Sequence, residues 1–167
     1  VVGTGAIGSR VAELCHLFGC EIAAYDLFPK KNAPEYLHYG TLEEVLSKSD
    51  IVTLHCPLTE DSRNLINQDR IAQMKKGAIL INAARGPIVD SKALADALNS
   101  GYLRGAGVDV FEMEPPLPMD HPLLHSINTI VTPHIAFASD ESMEIRAEIV
   151  FENIQKWMNK EQVNIIL

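Results

Sequence analysis

An arginine, a glutamate and a histidine, Arg85, Glu114 and His134, each stand just beyond a short apolar run at 78–81, 105–110 and 129–132. Together they suit one kind of reaction, reduction of a carbonyl that lies beside a carboxylate. A guanidinium binds carboxylate and carbonyl oxygens in a forked geometry. Hydride addition builds negative charge on the carbonyl oxygen, and an imidazolium can supply the proton that neutralises it. A carboxylate hydrogen-bonded to that imidazole favours its charged form and fixes its orientation. Glu112 is the nearest competitor for this carboxylate, and the Glu-Pro step at 114–115 favours Glu114.

The source of the hydride is read from the opening of the chain. Val1-Val2-Gly3-Thr4-Gly5-Ala6-Ile7-Gly8 places three glycines in a G-x-G-x-x-G frame, with Asp26 following at the expected step of about 20 residues. Gly3 allows a tight exit from a strand, Gly5 lets the backbone approach a pyrophosphate, and Gly8 lets the next helix pack closely. That helix offers its free N–H groups and the positive end of its dipole to the phosphates. Asp26 accepts hydrogen bonds from an adenosine ribose and repels a 2′-phosphate, so the expected cofactor is NAD rather than NADP. Lys30 and Lys31 follow Pro29 and are expected to point to solvent.

The elements that must position these residues alternate along the chain. The glycine frame lies between an apolar stub and a helix with apolar residues at Ile7, Val11, Leu14, Cys15 and Phe18. Strands are expected at 21–25, 51–54, 78–81, 105–110 and 129–132, with a short segment around 36–39. Helices are expected at 41–49, where Thr41 and Glu44 have capping-box spacing, and at 67–74, 91–99 and 139–159. This alternation predicts an α/β fold, a Rossmann-type doubly wound parallel sheet. Such sheets bind ligands beyond the carboxyl ends of their strands. Only Val1 and Val2 precede the glycines, where a strand runs about 5–6 residues, so the first strand reads as truncated.

The chain has 167 residues, 47% hydrophobic and 22% charged, with a formal charge of −8. That length holds one ordinary domain, and the negative charge argues against general binding to nucleic acid or an anionic membrane. No apolar run has the length of a membrane span. Cys15, Cys20 and Cys56 form no metal-ligand pattern and read as buried free thiols. The histidines lack paired ligand spacing, so no metal is expected.

Four stretches in order, His55-Cys-Pro-Leu-Thr59, Asn82-Ala-Ala-Arg85-Gly-Pro-Ile-Val-Asp90, Gly105-Ala-Gly-Val-Asp109-Val-Phe-Glu-Met-Glu114-Pro115 and Val131-Thr-Pro-His134, resemble the D-isomer-specific 2-hydroxyacid dehydrogenases. The resemblance covers essentially the whole chain and implies their NAD domain, inserted within a separate substrate domain that is absent here. It implies Arg85 as the substrate-binding arginine, Glu114 as the partner of the catalytic histidine, and His134 as the acid/base. It implies that Asp109 holds the nicotinamide carboxamide. Further cofactor contacts would come from Ala6, Ile7, Cys56, Pro57, Ser62, Ala83 and Ala84, beside Gly3, Gly5, Gly8, Asp26 and Arg85. His55 reads as structural or cofactor-adjacent. After His134 the chain runs Ile135-Ala136-Phe137-Ala138 where many members have a Gly-Gly pair, which is more like the D-lactate and 2-hydroxyisocaproate group.

The expected organisation is an NAD-binding domain over 1–138 and a C-terminal helix and tail over 139–167 leading back toward the substrate domain. The function implied is hydride transfer between NAD(H) and a D-2-hydroxy acid/2-oxo acid pair, with this fragment inactive alone. A small acid is the expected substrate, with pairing into a homodimer through the NAD domain and a cytoplasmic location. The alternative is a non-enzymatic NAD-sensing module similar to the C-terminal-binding-protein corepressors, which share the fold and the trio.

Overall fold

The apolar stub at Val1-Val2 is the seam of the sheet. In the computed structural model, which describes residues 1–113 and 116–165, this stub pairs in parallel on both sides. Val1 accepts from the N–H of Tyr25 at 2.9 Å and Gly3 donates to the Tyr25 carbonyl at 2.8 Å, beside β1 (Ile22–Ala24). On the other side Val2 donates to the Thr53 carbonyl at 2.9 Å and accepts from His55 at 2.7 Å. β2 (Leu37–Tyr39) pairs with the outer edge of β1. Beyond the stub follow β3 (Ile51–Leu54), β4 (Ile79–Asn82), β5 (Gly105–Val108) and β6 (Thr129–Val131), in that spatial order. Every pairing is parallel. The order β2-β1-stub-β3-β4-β5-β6 is the doubly wound one, reversing direction at the stub.

Local chemistry sets where the helices start. α1 (Ala6–Leu17), α2 (Leu42–Lys48), α3 (Gln68–Gln73) and α4 (Ser91–Asn99) belong to the compact unit Val1–His134. Thr41 and Glu44 close a capping box at α2, Asn67 caps α3 and Asp90 caps α4 through side-chain oxygens. These caps satisfy N–H groups that have no partner within the helix. α1 is the exception, since its cap residue is Gly5 and no side chain serves its first turn.

The core forms between the sheet and these helices, around Leu46, Val52, Leu54, Leu80, Ile88, Leu94 and Leu98. A smaller cluster joins Val1, Ala12, Ile22, Ala24 and Leu37. α1 does not bury the apolar positions that its sequence pattern suggests. It buries Gly8 and Ala12, while Ile7, Leu14 and Phe18 are exposed. The reason is distance, because a Cβ on Gly8 would run into the carbonyl oxygen of Gly3. Only the smallest side chains fit the inner face of a helix that lies this close. The ladder also ends sooner than the apolar runs do, at Val108 rather than residue 110.

A second unit begins at Ile135. Its main element is α5 (Asp140–Met158), opened by a capping box between Ser139 and Ser142 and closed at Asn159. The Arg146 guanidinium lies 5.3 Å from the centre of the Phe137 ring. Among the described residues no helix is long and apolar enough to cross a membrane.

Candidate active site

Because all strands run parallel, their carboxyl ends meet at one edge of the sheet, and every site residue read from sequence in the first unit follows such an end. The glycine turn forms one half of this edge. Gly5, Ala6 and Ile7 are exposed while Gly3 and Gly8 are buried. Nothing lies within 4 Å of where a Gly5 Cβ would stand. An open glycine followed by an uncapped helix start is the arrangement that accepts a phosphate against backbone N–H groups.

Asp26 sits at the end of β1, half-buried, and is already held. Its Oδ2 accepts from the Thr4 N–H at 2.6 Å and the Thr4 hydroxyl at 2.8 Å, and its Oδ1 accepts from the Phe28 N–H at 2.8 Å. Burial alone would raise its pKa. The N–H groups of Thr4 and Phe28 outweigh it and keep the carboxyl below its ordinary range. The Thr4 hydroxyl also meets the Tyr39 hydroxyl at 2.8 Å. A carboxylate fixed and ionised in this way suits the two hydroxyls of a ribose. Lys30 is exposed, as expected, and its ammonium donates to the Ser9 hydroxyl on α1 at 2.6 Å.

The other half of the edge is a cleft of about 220 Å³ lined by Leu58, Arg85, Asp109, Glu112, Pro133 and His134, small beside the roughly 300–1,000 Å³ of drug-sized pockets. Arg85 is exposed at its mouth, and its Nη1 donates to the Ala84 carbonyl at 2.6 Å. Asp109 is buried and accepts from the Thr132 hydroxyl at 2.5 Å. His134 stands in the left-handed region at φ 58°, a conformation that costs a non-glycine residue of order 1–3 kcal/mol. Its N–H donates to the Asp109 carbonyl at 2.9 Å, which helps hold that turn.

Arg85, Asp109 and His134 are thus brought to one cleft, while Gly3, Gly5, Gly8 and Asp26 form the neighbouring turn. Cys56 is half-buried and its backbone packs against Gly3, whereas Pro57 and Ala83 are exposed and Ala84 is buried. Ser62 is buried within its own loop, donating to the Pro57 carbonyl and accepting from the Thr59 N–H, both at 2.7 Å. Glu114 lies outside the described residues. Its competitor Glu112 lines the cleft, and its carboxylate is bonded to other groups, accepting from the Ser91 hydroxyl at 2.7 Å and meeting Nε2 of buried His121 at 3.1 Å. Burial pushes the Glu112 carboxyl up, and the bonds from Ser91 and His121 more than reverse this. The cysteines also differ from expectation, since Cys20 is exposed and Cys15 and Cys56 are half-buried.

Two supporting residues, His121 and Asn82, are given no role by the sequence reading. His121, stacked edge-on against Phe111 at 5.2 Å, fastens the loop after β5 through Glu112. Asn82 is buried at the end of β4, accepting from the Ala84 N–H at 3.1 Å and donating to the Arg85 carbonyl at 3.0 Å. An asparagine at a strand end that leads into a turn is the available clue to this role. Asn82→Ala strands a buried N–H and should lower stability by about 1–3 kcal/mol, read from urea unfolding. An unchanged midpoint would remove Asn82 from the support of Arg85.

Known proteins extend these observations. Residues 1–136 match the family model of the D-isomer specific 2-hydroxyacid dehydrogenase NAD binding domain. The chain is 44% identical over 156 residues to a glyoxylate reductase of Korarchaeum cryptofilum, covering 92% of this chain and 47% of that protein. It is 37% identical over 167 residues to a hydroxypyruvate reductase of Blautia hydrogenotrophica, covering 99% and 52%. A D-lactate dehydrogenase from Aquifex aeolicus, solved with NAD and lactic acid, superimposes with a TM-score of 0.88 at 36% identity, covering 96% of this chain and 53% of the other. The chain therefore spans about half the length of these relatives. With its Rossmann sheet and the matched motifs, it belongs to the D-isomer specific 2-hydroxyacid dehydrogenases, as their NAD-binding domain.

Proposed function

We propose that this chain is the cofactor-binding and catalytic half of an enzyme that moves a hydride between NAD(H) and a D-2-hydroxy acid/2-oxo acid pair. The observation that carries this reading is the meeting of Arg85, Asp109 and His134 at one small cleft, beside the open glycine turn. NAD(H) supplies or accepts the hydride when bound. The first-turn N–H groups of α1 would hold its pyrophosphate, Asp26 its adenosine ribose and Asp109 its carboxamide. Ala6, Ile7, Cys56, Pro57, Ala83 and Ala84 would pack around it, and Ser62 shapes the loop behind Pro57. The Arg85 guanidinium holds the substrate carboxylate and turns the carbonyl toward His134. His134 gives a proton to the carbonyl oxygen during reduction and takes it back during oxidation, with Glu114 holding the imidazole charged and oriented.

The relatives above are named as reductases and dehydrogenases, which favours this reading over an NAD-sensing corepressor module. A small 2-oxo acid is the substrate class proposed for the cleft, and we place the whole enzyme in the cytoplasm as a homodimer joined through this domain. Light scattering on the intact protein tests the dimer. The functional test compares the 167-residue chain with the enzyme that also carries its substrate domain, over a panel of 2-oxo acids. The intact enzyme should consume NADH, and the isolated chain should bind NADH without turnover. Turnover by the isolated chain, or none by the intact enzyme across the panel, would refute the reading.

Cofactor choice gives a separate check. A 2′-phosphate would bring negative charge against the ionised Asp26, and the Lys30 ammonium is already engaged with Ser9. NADH should therefore be preferred over NADPH by at least about tenfold in kcat/KM, or about 1.4 kcal/mol. Equal efficiency would remove the role given to Asp26.

A further inference from the structure

Two of the three cysteines are brought together by the way α1 ends. Leu17 is its last residue and Phe18 its C-cap, after which Gly19 turns left-handed at φ 86°. The Gly19 N–H donates to the His16 carbonyl at 2.8 Å, and the Cys20 N–H donates to the Cys15 carbonyl at 3.0 Å. This pair of bonds is a Schellman motif, in which the second residue past the cap folds back against the third residue before it. Here both of those positions are cysteine. Ordinary covalent geometry around a 3.0 Å bond keeps their Cα atoms within about 7 Å, inside the separation a disulfide can bridge.

The surroundings separate the roles of the two thiols. Cys15 is half-buried against the small cluster that holds Val1, Ala12 and Ile22, whereas Cys20 is exposed. Cys20 also lines an open cleft of about 500 Å³ with His16, Glu21, Tyr36 and His38, so its thiol is within reach of a reagent in solution. Cys56 follows β3 and takes no part in this motif.

We propose that Cys15 and Cys20 form a modification site, a dithiol that a low-molecular-weight disulfide such as oxidised glutathione converts to an intramolecular disulfide. The Cys20 thiolate attacks one sulfur of the glutathione disulfide, breaking its S–S bond and releasing one glutathione thiolate. The Cys15 thiolate then attacks the Cys20 sulfur and expels the second glutathione thiolate. The two cysteines lose two electrons, the glutathione disulfide gains them, and the protons released by the cysteines pass through solvent to the departing thiolates. The loop closed is short, so the bond adds little loop-closure stabilisation and stays open to reduction, as a responsive pair rather than a permanent cross-link.

The test uses the full chain, incubated with oxidised glutathione, blocked with an alkylating agent, and analysed by intact mass and non-reducing chymotryptic mapping. The expected result is a chain that has lost two hydrogens and carries one blocking group, on Cys56, in which the peptides on either side of the Phe18-Gly19 cut stay joined until reduction. Cys56→Ser should behave the same way, and Cys15→Ser should stop at a mixed disulfide on Cys20. A wild-type chain that keeps glutathione on Cys20 with Cys15 alkylated overturns the proposal, and so does a disulfide that joins two chains. The wild-type map decides the matter even where a variant fails to fold, and it does not depend on the enzymatic reading.

Discussion

His134→Gln in the intact enzyme should lower turnover of 2-oxo acids by roughly 10²–10⁴-fold, the span of general acid catalysis. Glutamine keeps a polar side chain in the cleft but has no proton to give at neutral pH. The backbone bond from residue 134 to the Asp109 carbonyl does not involve the side chain, so the turn should survive and NADH binding should stay close to wild type. Loss of turnover with retained NADH affinity and an unchanged unfolding midpoint is the expected pattern. Full activity in this variant would move the proton transfer to another group.

The glutamate proposed to support His134, Glu114, makes its own prediction, with a definite sign. An imidazolium that loses its carboxylate partner gives up its proton more readily, so the protonated acid disappears at lower pH. Glu114→Gln should therefore shift the pH profile of reduction to lower pH. Glu112→Gln should leave that profile in place and act on stability, because the Glu112 carboxylate is bonded to Ser91 and His121. Its folded-state pKa is depressed, so its contribution is present above the ordinary carboxylate range and lost as pH falls through the folded value. A profile that moves with Glu112 and not with Glu114 would reverse the two roles.

These two glutamates mark where the sequence stops being legible. The strand ends, the helix starts at Thr41, Asn67 and Ser91, and the glycine frame with Asp26 all depend on residues close in sequence, and local patterning places them. The partner of Glu112 does not. His121 reaches it only because the turn that follows it, Pro122–Leu124, packs against α4, a tertiary fact with no periodic signature. The inner face of α1 was misleading for another reason. Apolar residues count toward an amphipathic pattern, but close approach of helix to strand selects Gly8 and Ala12 by size and leaves Ile7 and Phe18 outside. Ser62 and Asn82 are hydroxyl and amide groups whose inward rotation depends on neighbouring carbonyls and N–H groups, so residue type alone suggests a ligand contact as readily as a turn.

Arg85→Lys should weaken the enzyme mainly at the step where substrate is held. The guanidinium offers two parallel donors that match a carboxylate and its neighbouring carbonyl, whereas an ammonium presents a point charge. Losing one hydrogen bond to a charged acceptor costs about 1.5–3 kcal/mol, roughly a 10- to 150-fold fall in kcat/KM. The main chain that places residue 85 is held by Asn82 through the Arg85 carbonyl and the Ala84 N–H, and the substitution leaves both bonds intact. The variant should therefore fold as the wild type does, with most of the loss in KM for the acid. A 2-oxo acid analogue lacking the carboxylate should show little difference between arginine and lysine at this position. If the carboxylate-free analogue suffers the same loss, Arg85 acts on the fold or the cofactor rather than on the acid group of the substrate.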